Sequence, residues 1–260
     1  MEFMDIYQHF RPQEREFIDQ ILDWKHYVET SYSAKLTDFL DPREQQILTT
    51  IIGEHKEVKT ALFGGIENAE RKRALLFPEY YQVSEEDFQI SLFAIRYPSK
   101  FFSIEHRQVL GSLMSLGLKR GKFGDILISD SMVQFLAARE IESYLRMEFQ
   151  SIGKASVRIE EIPLSQAVRP KENWQECSFT ASSLRLDTIL SSLYPISRAK
   201  AQGLIAQGLV KVNWKVIDSA SFECGMGDMI SARGLGRVRL VEIEGKTKKD
   251  KWRIIANRKK

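Results

Sequence analysis

The chain has 260 residues, 43% of them hydrophobic, and a formal net charge of +3, enough for one large domain or two to three small ones. No run of 18 or more apolar residues occurs, and the opening "MEFMDIYQHFRPQERE" has acids where a signal peptide would place a basic and then an apolar region. The composition therefore argues against a membrane span or export and predicts a soluble, cytoplasmic protein.

Residues 1–77 read as a helical region. "PQEREFIDQILDWKHYVE" spaces Phe17, Ile21, Trp24 and Val28 for one helical face, and "DPREQQILTTIIG" supplies Asp41 as cap, Pro42 in the first turn, Glu44 three residues on and Gly53 as a stop. Gly64 and Gly65 suit a turn. A further segment, "ENAERKRALLF", carries the run Glu70 to Arg73, which can meet phosphate or form a solvated helix face.

Residues 78–165 change texture. "FQISLFAIRYP" is strand-like, "SIEHRQVLGSLMSLG" is a helix starting at a cap-like Ser103, and "GDILISD" and "MVQFLAA" are two short strands. "REIESYLRMEFQSIG" returns to helix and "SVRIEEI" alternates as a strand. This order predicts a split βαββαβ, RRM-like domain in which two helices cover one face of a four-stranded antiparallel sheet. RNA-stacking aromatics often occupy the other face of that architecture, but their motif is not reproduced here.

Residues 166–183 read as a connector and short strand. Beyond them the charge changes: residues 184–260 hold 16 Lys or Arg against 7 Asp or Glu, whereas residues 1–183 hold 22 against 28. Such polarity favours a polyanion, and nucleic acid over an anionic membrane, because no amphipathic apolar anchor stands beside the charge. "SSLRLDTILSSLY" buries Leu186, Ile189, Leu190 and Leu193 on one face, Pro195 interrupts, and Ser197 caps a second helix that Gly208 closes. Val210 and Val212 alternate with Lys211 as a half-buried strand requires. Arg198, Lys200, Lys211 and Lys215 are expected to gather near one surface.

The residues "RLD" at 185–187, "SR" at 197–198, "IAQG" through Gly208, "VKVN" ending at Asn213, and "GD" at 227–228, followed by Ile230 and Arg233, resemble an S4 RNA-binding domain, the small alpha-L module, over residues 184–244. Where such domains tend to hold glycine after the Asn, this chain has Trp214, which puts the local turn in question. The resemblance implies an RNA-contacting set of Arg185, Ser197, Arg198, Lys200, Lys211, Asn213, Lys215, Arg233 and Arg237, with Arg185 alternatively pairing with Asp187. Arginine forks pair with phosphate bidentately and lysines act as mobile point charges. The basic tail, residues 245–260, is expected to add Lys248, Lys249 and Lys251, ordering on RNA. Trp252 can stack on a base or close the core.

Over nearly the whole chain, "FLDPREQQIL", "FGGIENAERKRALLFP", "HRQVLGSLMSLGLKRGKFGDILIS" and "SLRLDTIL" with "KVNW" are similar to the bacterial YlmH-type S4 proteins, whose relatives include a photosystem II S4-domain group. In that family a tryptophan at position 214 is an expected variant. The resemblance implies an α+β chain with a helical N-terminal region, an RRM-like middle and an S4 domain. It also implies partners on the large ribosomal subunit, 23S rRNA and tRNA, with a ribosomal or quality-control protein beside them, in the handling of stalled translation. A division-linked protein scaffold is the competing class.

Enzyme chemistry is not expected. The single "RLD" belongs to the S4-like module rather than to a pseudouridine-synthase loop, and no glycine-rich cofactor loop follows a strand. Glu160 and Glu161 are adjacent on a strand and point to opposite faces. His9, His26, His55 and His106 are dispersed, and Cys177 and Cys224 stand 47 positions apart without a CxxC spacing, so neither a metal nor a cofactor is expected. The loop "LKRGKFGD" offers Lys119, Arg120 and Lys122 as secondary phosphate contacts, with Gly121 and Gly124 allowing close backbone approach.

Overall fold

The computed structural model of the chain describes residues 6–10, 12–53, 57–129, 132–169 and 174–259. They form two compact units, Met1–Lys171 and Glu172–Lys260.

In the first unit, α1 (Arg15–Ser31) buries Ile18, Ile21 and Val28 on one face. In α2 (Pro42–Ile52) the expected cap forms: the Asp41 carboxylate accepts from the amides of Arg43 and Glu44, both at 2.9 Å, and Glu44 accepts from the Asp41 amide at 2.6 Å. The helical reading of this region omits three strands. β1 (Lys35–Leu40), β2 (Val58–Phe63) and β3 (Lys72–Pro78) form an antiparallel sheet in the order β1-β3-β2. The segment "ENAERKRALLF" is thus a turn followed by the central strand of that sheet. Its Ala, Leu, Lys and Arg favour helix intrinsically, but Arg73, Ala74, Leu75 and Leu76 are buried there, and tertiary burial overrides the weak local preference.

The middle of the chain takes the predicted order: β4 (Ile90–Arg96), α3 (His106–Ser115), β5 (Phe123–Ser129), β6 (Met132–Ala138) and α4 (Glu142–Glu148). A small hairpin, β7 (Ser151–Ile152) and β8 (Ala155–Ser156), precedes the last strand, β9 (Arg158–Ile162). The sheet order is β5-β6-β4-β9, all neighbours antiparallel. The first helix starts at His106 rather than after Ser103, with the Glu105 amide donating to Gln108 Oε1 at 2.8 Å.

Both faces of this sheet are covered. Phe93, Phe135 and Ile95 pack with Val109 and Leu113 of α3 and Leu145 of α4. On the opposite face Ile90, Leu92 and Leu136 pack with Phe39 of β1 and Leu75 of β3, so two sheets stack face to face. Gly124 lies in this seam: a Cβ there would sit 2.8 Å from the Phe39 ring and 2.9 Å from Leu136 Cβ. We expect Gly124→Ala to lower the stability of the first unit by about 1–3 kcal/mol, read as an earlier urea transition of that unit with the transition of the second unmoved.

The second unit is one six-stranded sheet with two helices on one face. After β10 (Trp174–Ala181) come α5 (Leu186–Leu193), α6 (Arg198–Ala206), β11 (Val210–Val212), β12 (Lys215–Val216), β13 (Met229–Ala232), β14 (Gly236–Lys246) and β15 (Trp252–Lys259). The order is β10-β15-β14-β13-β11-β12. Leu186, Ile189, Ala201 and Ile205 meet Val210, Val212, Ile230, Val238, Leu240, Ile254 and Ala256 in one core. The basic tail is therefore not a free extension: residues 252–259 are paired on both sides, with β10 and with β14. Alternation within "WRIIANRK" puts Ile254 and Ala256 in the core, and Trp252 packs against that core with the Lys246 ammonium 5.6 Å from its ring centroid.

Candidate nucleic-acid interface

The S4-like helices converge on one carboxylate. Asp187, in the first turn of α5, is fully buried. It accepts hydrogen bonds from Arg198 Nε (2.9 Å), Gln202 Nε2 (2.8 Å), Arg185 Nε and Nη2 (3.2 and 3.4 Å) and the Thr188 hydroxyl (3.3 Å). Burial by itself would raise the pKa of this carboxyl, but the hydrogen bonds from Arg185, Arg198 and Gln202 outweigh it and hold the group far below the usual carboxylate range.

Two arginines are thereby oriented without being used up. Their side chains remain 39% and 52% exposed for Arg185 and Arg198. Arg198 engages Asp187 through Nε, and its half-exposed guanidinium keeps further N–H donors that can pair with phosphate. Ser197 spends its hydroxyl on the start of α6, accepting from the Lys200 amide at 3.2 Å, and Lys200 itself is exposed. Arg185, which the sequence allows either to contact RNA or to pair with Asp187, does pair with it.

The hairpin after α6 is locked from within. The Asn213 side chain donates to Asp228 Oδ1 at 2.8 Å and accepts from the Met229 amide at 2.9 Å, while Asp228 Oδ2 accepts from the Gly225 amide at 2.7 Å. Asn213 is thus a clip that ties the "VKVN" and "GD" segments together. Asn213 and Trp214 have φ of 49° and 62°, the two left-handed residues of a type I′ turn. The turn survives without glycine, at a backbone cost of about 1–2 kcal/mol for Trp214.

The remaining cations do not join one surface. Lys211 lies opposite Ser231, which lies opposite Arg237, and strand alternation sends this row to the sheet face away from the helices. Lys215 pairs with Val212 on the edge strand and so lies on the helix side. Arg233 is exposed in the turn after β13, and Lys248, Lys249 and Lys251 are exposed in the turn between β14 and β15. Gln202 and Arg239 were not singled out from the sequence, although Gln202 lies one helical turn after Arg198 and Arg239 two strand positions after Arg237, spacings that put each on its neighbour's face.

In the first unit the loop cations serve the seam instead. Arg120 donates to the carbonyls of Phe123 (2.6 Å) and Gly124 (3.3 Å), and burial, with the nearby Arg71 charge, lowers its pKa to about 10. Lys122 donates to Asp38 (2.6 Å) and Glu140 (3.0 Å). Only Lys119 of the three is exposed. In the Glu70–Arg73 run, Arg71 donates to the Phe39 carbonyl at 2.6 Å, and Arg73, 4% exposed, donates to the Thr37 carbonyl at 2.7 Å. These two arginines hold strands together.

His26 and His106 are exposed, and His55 lies outside the described residues. Among the described residues no group of three or more His, Cys, Asp or Glu side chains could hold a metal ion, and no helix is long and apolar enough to cross a membrane.

Comparison with known proteins follows the same divisions. Three family models match in succession: "YlmH, N-terminal" over residues 13–81, "Putative RNA-binding domain in YlmH" over 83–166 and "S4 domain" over 184–230. The chain is 50% identical over 256 residues to the "Ribosome-associated protein quality control protein P2" of Bacillus subtilis (strain 168), covering 98% of this chain and 99% of that protein. The solved structure "Cell division protein ylmH from Streptococcus pneumoniae" is 32% identical, with a TM-score of 0.55, over 63% of this chain and 99% of that one. An S4 module built around Asp187, an RRM-like domain before it and a full-length relative at half identity lead to one conclusion: the chain belongs to the YlmH family.

Proposed function

We propose that this chain is a non-catalytic cytoplasmic factor that docks on structured RNA of the large ribosomal subunit, 23S rRNA together with tRNA, during quality control of stalled translation. The observation that carries the reading is the Asp187 clamp, which orients Arg185 and Arg198 as a preset phosphate-binding edge, with Lys200 exposed in the same first turn of α6 as Arg198. The full-length relative, named for ribosome-associated quality control, supports the setting. Base identity is not read by such an edge. Charge and shape select the RNA, and simultaneous engagement of both units raises the effective affinity.

The test is crosslinking and sequencing of RNA bound to the chain in cells, with ribosome sedimentation, for the native chain and for Arg198→Ala/Lys200→Ala. The native chain is expected to enrich a defined large-subunit site with tRNA. The double variant, folded by circular dichroism, is expected to lose that enrichment and to lower the slope of log affinity against log salt by about 1–2. Unchanged RNA binding by the folded variant would show that this face is not the contact. Ribosome-free migration of the native chain would favour a protein scaffold, the class suggested by the division-protein name of the Streptococcus pneumoniae relative.

A further inference from the structure

An RRM-like sheet that contacts RNA through its open face needs that face uncovered, and here it is closed. Ile90, Leu92 and Leu136 are packed under the N-terminal sheet. Gln134 is buried beneath the chain that follows β9, donating to the Gln166 carbonyl at 3.1 Å and accepting from the Val168 amide at 2.8 Å. One end of the sheet is exposed.

At that end Arg96 of β4 lies directly opposite Arg158 of β9, and Met132, 52% exposed, stands just beyond the neighbouring Ile95–Val133 pair. Two like charges facing each other across strands are unfavourable. Glu160 answers Arg96 at 2.8 Å, while Arg158 is exposed and has no carboxylate partner among the described residues. Directly after Arg96 the chain makes a hydrogen-bonded turn in which the amides of Phe101 and Phe102 donate to the Pro98 carbonyl at 3.0 and 3.3 Å. Phe101 is 82% exposed and Phe102 37%, beside an exposed Lys100, and Arg107 follows at the start of α3. Among the described residues the cations Arg96, Lys100, Arg107 and Arg158 outnumber Glu105, which pairs with Arg107 at 2.9 Å, and Glu160. A phenyl ring this exposed contributes almost nothing to the core. An exposed aromatic ring in a segment that also exposes cations is the chemistry that holds an unpaired base and its phosphates.

We propose that this end of the middle domain is its RNA contact: an unpaired RNA segment stacks a base on Phe101, flanked by Phe102, with its phosphates along Lys100, Arg96 and Arg158. The inference rests on the RNA-binding reading above and assigns it a second surface, distinct from the Asp187 edge.

The test uses the full chain and a fluorescent ten-nucleotide oligouridylate at low salt. Phe101→Ala, an exposed substitution that leaves the core intact, is expected to weaken binding about 10-fold or more. Phe101→Trp is expected to keep the affinity and to add a tryptophan signal that the RNA quenches. Unchanged affinity in Phe101→Ala, or an added signal insensitive to RNA, overturns the proposal. A wild-type chain that binds neither the oligonucleotide nor structured RNA sinks the parent reading. Structured-RNA binding that needs Arg198 and Lys200, combined with indifference to Phe101, sinks this inference alone.

Discussion

Asp187→Asn should weaken binding to structured RNA although it makes the surface more positive. A purely Coulombic view predicts the opposite, since deleting an anion from a basic edge raises its attraction for phosphate. The geometry decides the sign. Asp187 is the common acceptor for Arg185, Arg198 and Gln202, and an asparagine in its place keeps one acceptor and loses the charge that holds the guanidinium groups. Each arginine must then be ordered by the RNA itself, at about 0.5–1.5 kcal/mol per side chain. The expected result is affinity lower by about 5- to 150-fold with a salt slope unchanged or slightly steeper, whereas removal of Arg198 and Lys200 lowers the slope. Tighter binding by Asp187→Asn would make the carboxylate an electrostatic brake instead of a positioning group.

The same substitution has a pH signature. The carboxyl has a depressed pKa in the folded state, so its contribution to stability is complete above the unfolded value of about 3.9 and is lost as pH falls through the folded value. The wild-type chain should therefore lose stability below about pH 4 more steeply than Asp187→Asn. At neutral pH the variant should be less stable by about 2 kcal/mol, less than for a fully buried pair because both arginines are half in water.

Ile254→Asp should unfold the second unit. Ile254 is fully buried between β10 and β14, opposite Phe179 and Ile243. A carboxylate there costs several kcal/mol, comparable to the whole stability of a unit of this size, about 4–13 kcal/mol. Near-ultraviolet circular dichroism of the full chain should lose the tertiary signal of the second unit while the first retains its urea transition. The paired control, Lys248→Ala/Lys249→Ala in the exposed turn, should leave stability within about 0.5 kcal/mol. If Ile254→Asp folded normally, the last residues would be a dispensable tail.

That tail shows where sequence reading stopped short. Eight basic residues in "GKTKKDKWRIIANRKK" dominate its composition and mark it as solvated, although Ile254 and Ala256 already alternate as a strand requires. Whether a short alternating segment is a strand depends on having neighbours to pair with, and its neighbours, β10 and β14, lie at both ends of the unit in sequence. The N-terminal strands escaped for a similar reason. "RALLF" is helix-favouring in isolation, and only the flanking β1 and β2 make it central.

Local rules did decide much else. The Asp41 cap, the βαββαβ order and the two S4 helices were legible because each rests on spacing within a few residues, and the order of the S4 anchors identified the module. The sequence by itself also determined the polarity of charge along the chain. What only the tertiary structure decided was the use of each charge. Arg120 and Lys122 read in sequence like Arg198 and Lys200, yet the first pair is turned inward to carbonyls and carboxylates of a seam and the second is left toward solvent. A cation's partner is set by which segments fold against it, and those segments, such as Asp38 for Lys122, stand up to 84 residues away. No local pattern carries that information, because burial and hydrogen-bond competition are properties of the assembled core.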